Sequence, residues 1–227
     1  MRKAIVLFVL LSLHCMTSNL LAQDGYGFEQ VKGKVMRIGM IDIETDETEA
    51  YANALLWVVN NSDTMERLFV SKNPRDKQFT AKVRMKNSQD DTRLLNCVLR
   101  ITIGDGQLAF RLTEISVQNT KIPLPVSLEM YYPAKNAKQE EVLGFAQSTI
   151  EENLSDFEQF ILTNNVSITE NWNKLQDNKV VKGMSSDECL IILGKPTMVH
   201  QNGEKTQWMY EDGSNVIFED NLVKAIL

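Results

Sequence analysis

From Phe79 to Val117 the chain alternates apolar and polar residues in three consecutive runs, and a period of two leaves little choice of local structure. Phe79, Ala81, Val83 and Met85 alternate with Thr80, Lys82, Arg84 and Lys86, which predicts a strand with one apolar face and one basic, wet face. Leu95, Cys97, Leu99, Ile101 and Ile103 alternate in the same way. Asp105-Gly106 then supplies residues that accept positive φ, the chemistry of a tight hairpin turn. On the return run Leu108, Phe110 and Leu112 point one way, and the apolar phase then shifts to Ile115 and Val117. A β-bulge near Thr113–Glu114 produces such a shift, because one extra residue turns the following side chains over. The run therefore predicts an antiparallel sheet with one face buried.

What flanks the runs supplies the burying layer. Gly33 to Thr45 reads as a strand, with Val35, Ile41 and Ile43 on one face. Asp46 precedes Glu49 by three, a capping-box spacing, and opens a helix carrying Tyr51, Leu55, Trp57, Val58 and Val59 to about Asn60–Asn61. Met65 to Ser71 reads as a short strand and Lys72 to Asp76 as a turn. From Asn136 a long amphipathic helix places Val142, Phe145, Ala146, Thr149, Ile150, Leu154, Phe157, Phe160 and Ile161 on one stripe. Strand, helix, four strands, helix is the order of an α+β domain, an antiparallel sheet with helices on one face.

After Thr163-Asn164-Asn165 a second unit begins. Ser167 with Glu170 and Ser185 with Glu188 both have capping-box spacing. The first predicts a short helix with Trp172 and Leu175, the second a helix ending at Leu193. Gly194 stands where a helix-terminating glycine belongs, and Pro196 follows. Strands are expected at Met198–Gln201, Lys205–Tyr210, Asn215–Glu219 and, last, Val223–Leu227, with turns at Asn202-Gly203 and Asp212-Gly213.

The first residues belong to neither unit. Arg2 and Lys3 precede an apolar run from Ala4 to Leu13, too short for a bilayer-spanning helix but suited to a signal peptide cut after Ala22. Cys15 closes the run as a lipid-modified cysteine would. His14 stands where a lipoprotein signal takes a small side chain, so soluble export is favoured over lipidation. The expected organisation is thus a leader over 1–22, one domain over 23–165 and another over 166–227. No later segment has the length of a transmembrane helix. Losing Arg2 and Lys3 takes the formal charge from −6 to −8, which on the whole-chain balance speaks against nucleic acid or anionic lipid as a partner. His200 is then the one histidine left, and Cys97 and Cys189 the two cysteines, read as buried free thiols rather than a pair.

Two resemblances rest on these residues. Gly183-Met184-Ser185 to Glu188, Leu193-Gly194-Lys195-Pro196, Trp208-Met209-Tyr210 and Val216-Ile217-Phe218 resemble the SmpA/OmlA (BamE-like) family. That likeness covers most of Lys179 to Leu227 and implies a small two-helix, three-strand fold shared by envelope assembly factors and inhibitor proteins. Cys189 stands where that family usually has an aliphatic residue. The region from Gly33 to Thr163, by element order and by the Asp46-to-Asn61 helix with Trp57, is similar to a domain of unknown function with a TATA-binding-protein-like fold, found in exported proteins of Gram-negative gut bacteria. Neither resemblance implies a catalytic activity or a cofactor.

The residues themselves point the same way. A nucleophilic site needs Cys or Ser beside a base, and Cys189 with His200 is the one pairing to weigh; a packed thiol and a surface imidazole explain both more simply. No His/Cys cluster has metal-ligand spacing. Glu140-Glu141 and Glu151-Glu152 read as a solvated helix face, and Asp90-Asp91 as a hairpin loop. Trp57, Trp172, Trp208 and Tyr210 read as core. Ile122 to Pro133 is unusually apolar for a connection. It either adds an edge strand with Val126, Leu128 and Met130 inward, or presents Tyr131, Tyr132 and Pro133 to a partner. The reading is a non-catalytic cell-envelope protein that binds another protein or an envelope component. Carriage of a small apolar ligand is the alternative, and an envelope hydrolase ranks third.

Overall fold

The computed structural model describes residues 27–62 and 68–227. The expected leader, with Cys15 and the cut after Ala22, lies outside the described residues, as do the first residues of the strand expected from Met65.

Seven antiparallel strands form the large sheet: β1 (Glu29–Val31), β2 (Lys34–Asp42), β3 (Phe69–Asn73), β4 (Gln78–Asn87), β5 (Asp90–Gly104), β6 (Gln107–Asn119) and β7 (Ile122–Ser127). Their order is β1-β2-β6-β5-β4-β3, with β7 also paired to β6. Thus β6 pairs with β2 through Gln107–Leu112 and with β7 beyond Ser116, so two strands share one of its edges. The changeover falls at the bulge. Asn96 pairs with Ser116 and Val98 with Thr113, and Glu114 takes a φ of +53°. The extra residue lets Leu112 and Ile115 both be buried, which accounts for the phase shift in the sequence.

Helix α1 (Glu47–Asn60) begins at Asp46, whose carboxylate accepts from the backbone N–H of Thr48 and Glu49. Every residue from Ala50 to Val59 is buried, so α1 is a central helix rather than an amphipathic one. The sheet lies on one side of it and α2 (Ala137–Thr163) on another. Its polar side chains are matched individually. Asn53 Nδ2 donates to the carbonyls of Ile161 and Asn164, Asn164 Nδ2 donates back to Asn53 Oδ1 at 2.8 Å, and Trp57 Nε1 donates to Asp156 Oδ2 at 2.7 Å.

The second unit has one α-helix, α3 (Ser186–Leu193), a 3-10 turn at Trp172–Asp177 and a four-stranded antiparallel sheet. Its strands are β8 (Met198–Asn202), β9 (Lys205–Met209), β10 (Asn215–Glu219) and β11 (Leu222–Ile226). The Ser185–Glu188 capping box forms, and Gly194 ends α3 at φ +77°. Val180, Met184, Cys189, Tyr210, Val216, Phe218 and Val223 make a small core. Trp172, Leu175 and Ile191, however, pack into the large core, so α3 has one face in each.

Several expectations need correction. Gly33–Thr45 is not a lone strand: Lys32-Gly33, both at positive φ, turn β1 back onto β2. Lys72 and Asn73 belong to β3, because pairing of Lys72 with Phe79 carries the ladder past the point where local turn chemistry ends it. Asp90 opens β5, the loop being Ser88-Gln89. Ser167 caps no helix. Its N–H donates to Asp187 Oδ2, while Thr169 donates twice to the buried Glu188 carboxylate. The β8–β9 turn is Gly203-Glu204, since Asn202 pairs with Lys205. Trp208 is half-buried, its ring tilted against that of Phe218 with centroids 4.5 Å apart, and is not the centre of its core.

Candidate functional site

The stretch from Ile122 to Pro133 is the part of the fold in which apolar side chains are least accounted for by packing. It does form an edge strand, β7, held to β6 by Ser127 opposite Ser116 and Val126 opposite Val117. The ladder is irregular beyond Val117, and positions 123 and 125 are prolines, which have no N–H to donate. An edge short of donors is a poor template for an added strand, so a partner here meets side chains rather than backbone.

Of the three residues expected to turn inward, Leu128 alone is buried. Val126 is exposed, and Met130 and Leu124 keep 71% and 74% of their surface, with Ile122 beside them on the strand. Tyr131 and Tyr132 go the other way. Both are half-buried against the large core, whereas Pro133 is exposed. The structure thus turns outward two residues expected to face in, Val126 and Met130, and leaves each tyrosine half-buried. The most accessible apolar side chains of the stretch are Ile122, Leu124, Val126 and Met130.

Hydrogen bonds tie this corner to β2 and α2. Glu129 Oε1 accepts the N–H of Val35 on β2 at 3.1 Å, and its other oxygen bonds the Ser127 hydroxyl. Gln139, in the first turn of α2, accepts from Lys135 N–H at 2.7 Å and donates to the Met130 carbonyl. Exposed apolar groups on a pinned backbone need not lose chain entropy on binding, which favours a docking surface over a flexible tether.

The nucleophile candidates separate in space by environment. Cys189 is fully buried in the small core, and burial, reinforced by the Glu188 carboxylate, pushes its thiol up to about 12. Cys97 is likewise raised to about 12 by burial in the large core. Both stay protonated thiols at neutral pH, and both are free. His200 is exposed on β8, every residue of which is exposed. Among the described residues no three His, Cys, Asp or Glu side chains group as metal ligands. No helix of the described residues is long and apolar enough to cross a membrane.

Two lysines that sequence reasoning passed over tie the units together. Lys72 Nζ, on β3, donates to the Ile191 carbonyl at the end of α3 at 2.9 Å and sits over the Phe69 ring. Lys195 Nζ donates to the carbonyls of Asn60 and Ser62 at the end of α1, at 2.7 and 3.2 Å. Neither α1 nor α3 has a basic residue in its own last turn. Each instead takes a cation from the opposite unit to meet its orphan carbonyls and the negative end of its dipole. Burial lowers the Lys72 ammonium to about 8. An amine tuned in that way suggests chemistry, but here its position on a helix-end carbonyl gives it a structural task.

No family model matches the chain, and no curated protein matches it. Two solved structures are similar to it over 60% of its length. One is a TBP-like protein from Parabacteroides distasonis, 16% identical, covered over 98% of its own chain, with a TM-score of 0.49. The other is a DUF4468 family protein from Bacteroides ovatus, 12% identical, covered over 91%, with a TM-score of 0.44. TBP-like neighbours thus exist for part of the chain.

Proposed function

We propose that this chain is an exported, non-catalytic envelope protein that binds another protein through the β7 corner. The observation that carries the reading is the set of exposed apolar residues Ile122, Leu124, Val126 and Met130 on a strand and turn pinned by Glu129 and Gln139. Phe28, Tyr51, Phe79 and Phe157 occupy the space between sheet and helices, where carriage of an apolar ligand needs an open cavity. The Ser185–Glu188 box, the Gly194 cap before Pro196 and the strand meander support an SmpA/OmlA-like reading of residues 166–227. The unit has four strands and one α-helix where that family has three and two. Export rests on the Arg2-Lys3 and Ala4–Leu13 pattern.

Affinity capture from native envelope, with wild type beside Leu124→Asp/Met130→Asp, tests the reading. A band held by wild type and lost by the double variant, with melting unchanged, is the expected result. Identical capture by both proteins contradicts it.

A further inference from the structure

Both helices of the large unit cover one face of its sheet, and a group of five cations stands on the other. Lys82, Arg84 and Lys86 alternate along β4 with the buried Ala81 and Met85, so they project from the open face. Arg100 on β5 and Arg111 on β6 stand directly opposite one another in the register. Their row continues to Thr80 on one side and Ile38 on the other, neither of which carries charge. Like charges directly opposite on a sheet destabilise it, so this pair costs the fold something and is not a packing device. The cross-strand neighbours of Lys82, Arg84 and Lys86 are Val98, Asn96 and Leu94. Among the described residues no acid forms an ion pair with Lys82, Arg100 or Arg111.

The whole-chain charge of −6 hides this sorting. The exposed acids Glu140, Glu151 and Glu158 lie on the outer side of α2, while the open face carries Lys82, Arg84, Lys86, Arg100 and Arg111 against Glu114 at the β6 bulge and Asp42 at the end of β2. Net charge therefore does not exclude an anionic partner at this face, because binding responds to the local field.

We propose that the open face of the β4-β5-β6 sheet docks on the anionic phospholipid headgroups of a bilayer. Residues two apart on a strand are about 6.7 Å apart and neighbouring strands about 4.8 Å, so the cations form a two-dimensional grid. A planar array of phosphates meets all of a grid at once, whereas an acidic strand or helix lies along one line of it. Ile38 and Met40 on β2, the latter half exposed, border the cations and supply apolar contact at the headgroup boundary. The surface is distinct from the β7 corner, so the capture result and the vesicle result fail independently.

The purified protein is mixed with vesicles of phosphatidylcholine containing a quarter phosphatidylglycerol, and with phosphatidylcholine alone, and the bound fraction is measured by flotation. Binding to the anionic vesicles only, and its loss in high salt, is expected. Lys82→Gln/Arg100→Gln/Arg111→Gln is expected to melt no lower than wild type, since it relieves the opposed pair. It should weaken partitioning by about a hundredfold, each cation near a surface contributing about fivefold. Lys138→Gln/Lys179→Gln/Lys205→Gln makes the same charge change elsewhere on the surface and should leave partitioning within a fewfold of wild type. Equal losses in the two triple variants, no flotation with anionic vesicles, or retention by a DNA duplex without vesicle binding would each overturn the proposal.

Discussion

The two sheets of this protein differ in how completely they are covered. In the large unit α1 is buried on every side from Ala50 to Val59, and Leu95, Leu99, Ile101, Leu108 and Leu112 of β5 and β6 lie in the same core with almost no exposure. In the small unit a helix of eight residues covers a four-stranded sheet, and it reaches only part of it. Val216, Phe218 and Val223 on β10 and β11 are buried, Trp208 on β9 is half-buried, and β8 is exposed throughout. Residue type does not decide this, because tryptophan is the larger apolar group. What decides is whether a second layer lies over the strand. The small unit compensates by lending α3 to the large core through Ile191 and by the exchanged lysine caps.

The largest effects are expected at the two cores. Ile101→Ala, fully buried on the central strand, should cost about 2–5 kcal/mol, and Phe218→Ala about 3–5 kcal/mol, in chemical denaturation. Trp208→Ala should cost only about 1–2 kcal/mol, since much of its ring surface is never removed from water. A Trp208 loss equal to that of Phe218 would mean that β9 is covered after all.

Next in size is the tyrosine pair. Tyr131→Ser/Tyr132→Ser should lower stability by about 1–3 kcal/mol, as the loss of half-buried packing does. Melting curves check this, and an unchanged midpoint would return both residues to the binding surface.

A subtler effect concerns the join between the units. The folded Lys72 ammonium titrates at about 8 against an ordinary 10.5, because burial disfavours its charged form. Between those values the unfolded chain holds a proton that the folded chain has released, so stability rises with pH across the window. The gain is absent below about pH 8 and complete above about 10.5. The buried thiols act oppositely. They stay protonated to about 12 against an ordinary 9, so their contribution is lost as pH rises above 9. The difference between wild type and Lys72→Met isolates the lysine, and wild type should gain on the variant from pH 8 to 10.5. A constant difference would show that Lys72 is solvated. The smallest expected effect is Lys205→Ala, on exposed β9 surface, at under about 0.5 kcal/mol.

The same contrast explains how much of the fold was legible in the sequence. The Phe79–Val117 meander, its bulge at Glu114, the Asp46 cap and the Ser185–Glu188 box are readable because each is settled within a few residues. Lys72 reads as a turn in the sequence because its strand exists only through Phe79, seven residues on. The Asp220-Asn221 turn was invisible because both residues take positive φ without a glycine. Trp208 misled because its periodicity reports a face, not whether that face has a lid. At the candidate site the apolar character of Ile122 to Pro133 was legible, but which of its residues pack was not. That depends on Glu129 reaching Val35, 94 residues away.

Site-specific photocrosslinking tests the central claim most directly. A photoreactive residue at Leu124 or Met130, with cells irradiated intact, should give one discrete adduct shared by both positions. The same residue at Ser155, exposed on α2, should give none of that mass. An adduct of equal yield at all three positions, or none at Leu124 and Met130, would contradict the assignment of the β7 corner as the partner surface.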